Sequence, residues 1–193
     1  NTSNLPLRGR KGMFYEGGIR VPLIVRHKGH LAEGEVTDEA VHSIDFYPTF
    51  AELANIPLPG DHEHTLDGES WVKVLRGQDM ERRDLFWHFP GYMDDRQRPN
   101  SLILSRIGRD YYKLFYFYEE DRFELYNISR DLGERQNLME GTIDASHKRI
   151  AVSMSIRLRE WLQESGARMG TWRESGETVG YPPIFPENRP VRE

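Results

Sequence analysis

The chain has 193 residues, 37% of them hydrophobic and 30% charged, with no cysteine and a formal net charge of −5. That length suits one domain or part of a larger one, and the charged fraction predicts a soluble protein. No apolar run approaches the ~20 residues of a membrane-spanning helix, and without cysteine there are no disulfides or thiolate metal sites within these residues. The charge is uneven. Residues 1–30 hold six Lys or Arg against Glu16 alone, whereas residues 31–80 hold eleven acids against Lys73 and Arg76. A basic opening suits nucleic acid only with an extended basic face or stacking aromatics on a known module. Neither is visible, so the expected partner is a small anion.

Residues 1–6 read as a loop of turn formers. Leu7 to Pro22 then packs Gly9, Gly12, Gly17 and Gly18 among Arg8, Arg10, Lys11 and Arg20, with Glu16 as the lone carboxylate. Glycine admits positive φ and close backbone approach, and the basic side chains supply charge-assisted hydrogen bonds to an oxyanion, so this stretch predicts an anion-binding loop. Val21 to Arg26 is a short apolar run of the kind found in a strand covered on both faces, which needs neighbouring strands. Residues 45–55 predict a helix capped by Asp45, with Pro48 in its first turn, an apolar face of Phe46, Phe50, Leu53 and Ala54, and an exit at Asn55. A loop over 56–69 and a short helical turn from Trp71 to Leu75 follow, and the polar stretch 77–83 is the expected boundary to a second unit.

Beyond it the pattern turns to strands over 84–89, 101–106, 111–118 and 123–128, each bounded by Pro, Gly, Asp or Asn. Short links at Gly108-Arg109-Asp110 and Glu119 to Arg122 predict an antiparallel sheet. Asp144 to Gly166 is the strongest helix, with a stripe of Ile150, Met154, Leu158, Trp161 and Leu162, and Gly166 just past its end. It is expected to cover one face of the sheet. Residues 169–193 carry four prolines without periodicity and predict an extended tail that wraps the body through Tyr181, Ile184 and Phe185. The expected units are therefore 1–80, 81–168 and 169–193.

Lys11-Gly12-x-x-x-Glu16-Gly17-Gly18-x-Arg20-Val21-Pro22 resembles the second signature of the formylglycine-dependent (type I) sulfatases, in the alkaline-phosphatase-like superfamily. The helix with Asp45, Pro48 and Thr49, the stretch Asp67-Gly68-Glu69-Ser70, the Tyr-Lys-Leu strand at 112–114, the Glu-Leu-Tyr-Asn strand at 124–127 and the turn 131–138 fit the same pattern. The resemblance covers residues 1–140 well and implies an α/β fold: the end of the large α/β domain, then a small antiparallel sheet packed on a C-terminal helix. It implies that Lys11 is catalytic and contacts the sulfate of the substrate. Departures are Arg10, where many relatives have glycine, Arg26-His27-Lys28-Gly29 for Trp-Pro-Gly, and Asp131-Leu132 for Asp-Pro.

The other candidates are weighed residue by residue. Glu16 and Arg20 are expected to support the loop rather than touch substrate, and Arg8 and Arg10 to add positive potential. His88, in Trp87-His88-Phe89-Pro90, resembles a stretch in polysaccharide-active sulfatases and is a candidate substrate contact; the structural alternative is a hydrogen-bonded, half-buried histidine. Asp61-His62-Glu63-His64 looks like a metal cluster on paper, but no third ligand has a recognisable spacing, and a solvated acidic loop is expected instead. No metal ligand is assigned in this chain.

The resemblance also implies what lies elsewhere. The Cys/Ser-x-Pro-x-Arg nucleophile motif that matures to formylglycine is not found, nor are ligands for the divalent cation, calcium, so this chain corresponds to the back part of such an enzyme and alone is expected to be inactive. The expected function is that of a sulfuric ester hydrolase acting on a sulfated carbohydrate or aryl sulfate. The expected partners are that substrate and the N-terminal part of the same protein, with no nucleic acid and no membrane. Family resemblance places the protein in the periplasm or outside the cell. The alternatives are a non-catalytic binding or assembly module, and a phosphate or phosphonate ester hydrolase of the same superfamily.

Overall fold

The computed structural model describes residues 3–58, 66–94 and 96–186. The chain divides into two units, one of residues 22–82 and one that joins residues 1–21 to residues 83–193.

The smaller unit is built on polar ties. After α1 (Glu16–Ile19), which belongs to the larger unit, α2 (Phe46–Leu53) follows a 3-10 turn at Ser43–Asp45, and α3 is Val72–Leu75. Asp45 is fully buried, and its carboxylate accepts the backbone N–H of His42 at 2.6 Å and of Glu69 at 3.0 Å. It therefore caps the 3-10 turn and pins a distant strand of chain, where the sequence predicts a simple cap of α2. Gly68 lies so close that a Cβ there would stand 2.2 Å from the Ile44 carbonyl oxygen. Thr49 donates to the Asp45 carbonyl and accepts from the Trp71 N–H at 3.2 Å. These bonds turn Pro48, Thr49 and Ala51 inward and leave Phe50 exposed, so the expected apolar face of α2 is not its buried one. Asn55 does take the left-handed exit, with φ of 53°.

The predicted strand at Val21 to Arg26 does not form. A strand needs a ladder partner for its N–H and C=O groups, and among the described residues nothing pairs with this run. Its apolar side chains stand out in consequence, with Ile24 92% exposed.

The larger unit is a four-stranded antiparallel meander in sequence order: β1 (Asp84–Phe89), β2 (Asn100–Ile107), β3 (Asp110–Phe117) and β4 (Arg122–Asn127). Register places Phe86, Ile103, Leu114 and Leu125 side by side, one per strand, on one face. Against that row lies α4 (Ala145–Glu164), which contributes Ala151, Met154, Leu158 and Leu162, all fully buried. Phe86 stacks on Trp161 at 4.7 Å. Asp144 caps α4 by accepting from Ser146 N and His147 N. At the other end Gly166 (φ 60°) donates to Gln163 O and Ala167 N to Leu162 O, the two bonds of a Schellman motif. Tyr181 and Phe185 of the last segment pack on the same core.

The opposite face of the sheet carries Leu102, Lys113, Phe115, Phe117 and Tyr126, since successive side chains alternate. Met13, Phe14 and Tyr15 of the N-terminal loop pack there. The unit thus has three layers: helix, sheet and glycine loop.

Candidate functional site

The glycine loop is held from below by two buried polar clusters. In the first, the Lys113 ammonium donates to Glu16 Oε1 at 2.8 Å and to Glu134 Oε1 at 3.0 Å. Glu134 Oε2 accepts the Glu16 backbone N–H at 2.6 Å. Lys113 is fully buried, Glu16 and Glu134 nearly so. Glu134 adopts φ of 49°, a left-handed conformation costly for a residue with a Cβ, by about 1–2 kcal/mol. Burial pushes its carboxyl up, with the Lys113 ammonium opposing. Arg20 reaches Glu16 Oε2 from the solvent side at 3.4 Å.

In the second cluster, Glu124 Oε2 accepts both Tyr15 Oη at 2.7 Å and Tyr126 Oη at 2.8 Å, while Arg122 binds its other oxygen. Burial alone would raise the Glu124 carboxyl, but the bonds from Arg122, Tyr15 and Tyr126 prevail and lower it. Burial, then the Glu124 charge, pushes both tyrosines well above the ordinary phenol range. Arg8 lies over the Tyr15 ring at 3.8 Å and donates to Tyr126 Oη at 2.7 Å and the Glu134 carbonyl at 3.1 Å.

Above these clusters the loop folds on itself. Gly17 N donates to Arg8 O at 2.7 Å, and a Cβ on Gly17 or Gly18 would fall 2.5 Å from Gly9 O or 1.8 Å from Met13 O. These two glycines serve backbone-on-backbone packing rather than approach by a ligand. Met13 N donates to Arg10 O at 3.0 Å and closes a four-residue turn with Gly12 at its third position, φ 89°, where glycine is required. Lys11 occupies the second position and is exposed. Among the described residues, neither its ammonium nor the Arg10 guanidinium meets a partner.

The β1–β2 connection lies over this turn. Met93 Sδ would be 2.6 Å from a Cβ on Gly12, and Arg96 Nη1 donates to the Lys11 carbonyl at 3.4 Å. Beside the turn is an open depression of about 440 Å³ lined by residues that include Arg8, Arg10, Met13 and Arg96.

His88 sits elsewhere on the sheet with both ring nitrogens engaged. Nε2 lies 2.9 Å from the Arg168 carbonyl and must donate to it, so in the neutral ring Nδ1 accepts from Ser101 Oγ at 2.7 Å. Ser101 Oγ in turn lies 2.7 Å from Tyr118 Oη, whose proton burial holds up to about 12. A substrate contact from His88 would require breaking one of these bonds. The stretch Asp61 to His64 lies outside the described residues. Among the described ones, no group of three His, Cys, Asp or Glu side chains is placed to hold a metal ion, and no helix is long and apolar enough to cross a membrane.

Lys113, Glu124 and Glu134 are the residues that sequence reasoning missed. Period-two alternation puts Lys113 on the same face as Phe115 and Phe117, and that is the signal that could have marked its charge as buried and paired.

The site is thus a basic turn clamped to an antiparallel sheet by buried carboxylates, with a helix behind the sheet. Residues 10–164 match the family model described as N-sulphoglucosamine sulphohydrolase, C-terminal, and the chain belongs to that family. A sulfatase of Formosa agariphila is 47% identical over 186 residues, covering 94% of this chain and 34% of that protein. Arylsulfatase A of Homo sapiens is 31% identical over 173 residues, covering 79% of this chain and 32% of that protein. A structure solved in complex with its substrate D-glucosamine-2-N,6-O-disulfate is 23% identical with a TM-score of 0.48, covering 63% of this chain and 24% of that one. The chain spans about a third of the length of the curated relatives it matches.

Proposed function

We propose that this chain forms the C-terminal part of a sulfuric ester hydrolase acting on a sulfate ester of a carbohydrate or aryl group, and that Lys11 binds the sulfate. The observation that carries this reading is the contrast within one loop. Tyr15 and Glu16 are buried in the two clusters and Arg8 bonds to them from the surface, whereas the exposed Lys11, at the tip of the turn they hold, meets no partner among the described residues. A rigid turn places the ammonium without cost at the moment of reaction, and an ammonium beside a transferring sulfuryl group offsets the charge that develops on its oxygens. On this reading the divalent cation and the formylglycine that the family resemblance implies belong to the rest of the enzyme, and Lys11 acts only on the sulfate oxygens.

The test is Lys11→Ala in the full-length protein with 4-nitrophenyl sulfate as substrate. Loss of one transition-state donor is expected to lower turnover about 10²-fold while the melting temperature stays within a degree or two. Unchanged kinetics would remove Lys11 from the sulfate site.

A further inference from the structure

Three arginines line the open depression beside the turn, and Lys11 is not among its lining residues. On the sulfate-site reading, Lys11 answers the single negative charge of a sulfate monoester, which leaves these arginines for something else. Of the three arginines lining the depression, Arg8 is engaged by Tyr15, Tyr126 and the Glu134 carbonyl. Arg10 and Arg96 are not. Arg10 is exposed at the first position of the turn, next to Lys11, and meets no partner among the described residues. Arg96 comes from the β1–β2 connection, and its position is fixed by the bond from Nη1 to Lys11 O and by Met93 packed over Gly12. Its other contact is Asp94, an exposed carboxylate, and such surface pairs are weak enough for a ligand to compete with. A guanidinium has five N–H donors, so Arg96 keeps donors in hand after both contacts. Two guanidinium forks lining one open depression suit a planar or tetrahedral anion by bidentate bonding.

We infer that Arg10 and Arg96 form a specificity subsite for a second anionic group, a carboxylate or a second sulfate, on the same substrate whose scissile sulfate Lys11 holds. This rests on the sulfate-site reading of Lys11. It makes the preferred substrate a saccharide with at least two negative charges, and it makes the β1–β2 connection the element that selects it.

The experiment measures kcat and KM of the full-length protein on three substrates. These are a monosulfated neutral sugar, the same sugar with a second sulfate, and a monosulfated disaccharide bearing a uronate. The unmodified protein is expected to prefer one dianionic substrate by about 10-fold or more in kcat/KM, the scale of a charged hydrogen bond, and which one identifies the second group as sulfate or carboxylate. Arg10→Gly and Arg96→Ala should each shrink that preference, through KM rather than kcat, so that the dianionic substrate loses about 10-fold more than the neutral sugar does. Arg96→Lys keeps the charge without the fork and should restore only part of it, which also covers the case in which Arg96→Ala disturbs the connection. No preference in the unmodified protein, or equal losses on all three substrates, overturns the subsite. Lys11→Ala separates the two readings: if it abolishes turnover while the arginine variants do not discriminate, only the subsite fails, and if it leaves turnover intact, the sulfate assignment itself fails.

Discussion

A single lysine decides whether the glycine loop has a floor. Lys113 is the buried cation that bridges the carboxylates of Glu16 and Glu134, with Arg20 reaching only Glu16 from the solvent side. Removing one partner of a buried ion pair leaves uncompensated charge and typically costs about 3–5 kcal/mol. Lys113→Met should therefore lower the urea midpoint strongly, and adding Glu134→Gln should recover part of the loss, because the remaining carboxylate then faces a neutral amide. Additive losses in the double variant would contradict a coupled cluster. Glu124 gives the matching pH test. Its folded carboxyl is lowered below the ordinary value, so its contribution is present above the unfolded pKa of about 4.3 and is lost as pH falls through the folded value. Glu134 has the opposite sign: its folded carboxyl is raised, so it holds a proton longer than the unfolded chain and loses stability as pH rises through the ordinary carboxylate range. The acid limb of stability is thus expected to flatten in Glu124→Gln, and an unaltered limb would show that Glu124 is not its source.

Among elements, what was legible was whatever depends on period and caps alone. The four strands of the sheet fall within a residue of their predicted ends, because aromatic and β-branched alternation sets register and the two-residue turn with Gly108 (φ 66°) sets the hairpin. The helix ends were readable from Asp144 and Gly166. That cap carboxyl is pulled down to about 2, chiefly by the Ser146 side chain and the His147 N–H, so its contribution is present above the ordinary Asp range and is lost only as pH falls toward 2. What was not legible needed a partner that lies far along the chain. The apolar face expected for α2 yielded to Asp45 and Thr49, whose partners Glu69 and Trp71 follow some twenty residues later. Val21 to Arg26 has a strand composition but no ladder among the described residues. The site divides in the same way: the turn that carries Lys11 was visible in its glycines, whereas its floor is made of Lys113, Glu124 and Glu134, a hundred residues on. At this scale the expected test is Met154→Ala on α4. Met154 is fully buried against the Ile103, Leu114 and Leu125 row, and a large-to-small change there costs about 2–5 kcal/mol. A shift under 1 kcal/mol in denaturation would mean that α4 is not what covers the sheet.

At the scale of the whole molecule, the two units differ in how far they satisfy themselves. The sheet buries large apolar residues on both of its faces, while residues 22–82 leave Leu23, Ile24, Val36, Tyr47, Phe50 and Ile56 exposed. An apolar run of strand composition with free backbone groups is a template for pairing, and curated relatives are about three times as long as this chain. If the proposed reading holds, the rest of the longer protein is expected to cover that surface and to bring the nucleophile and cation to Lys11. Two outcomes follow from one cause. The 193 residues alone should show no hydrolysis of 4-nitrophenyl sulfate, and the amides of Leu23 to Val25 should exchange with deuterium near the unprotected rate. In the full-length protein both should reverse, with exchange at those amides slowed by orders of magnitude, as expected for a strand inside a sheet. Turnover by the chain alone would show that it holds the whole chemistry. Fast exchange at Leu23 to Val25 in an active full-length protein would show that the anion loop works without the adjoining run ever entering a sheet.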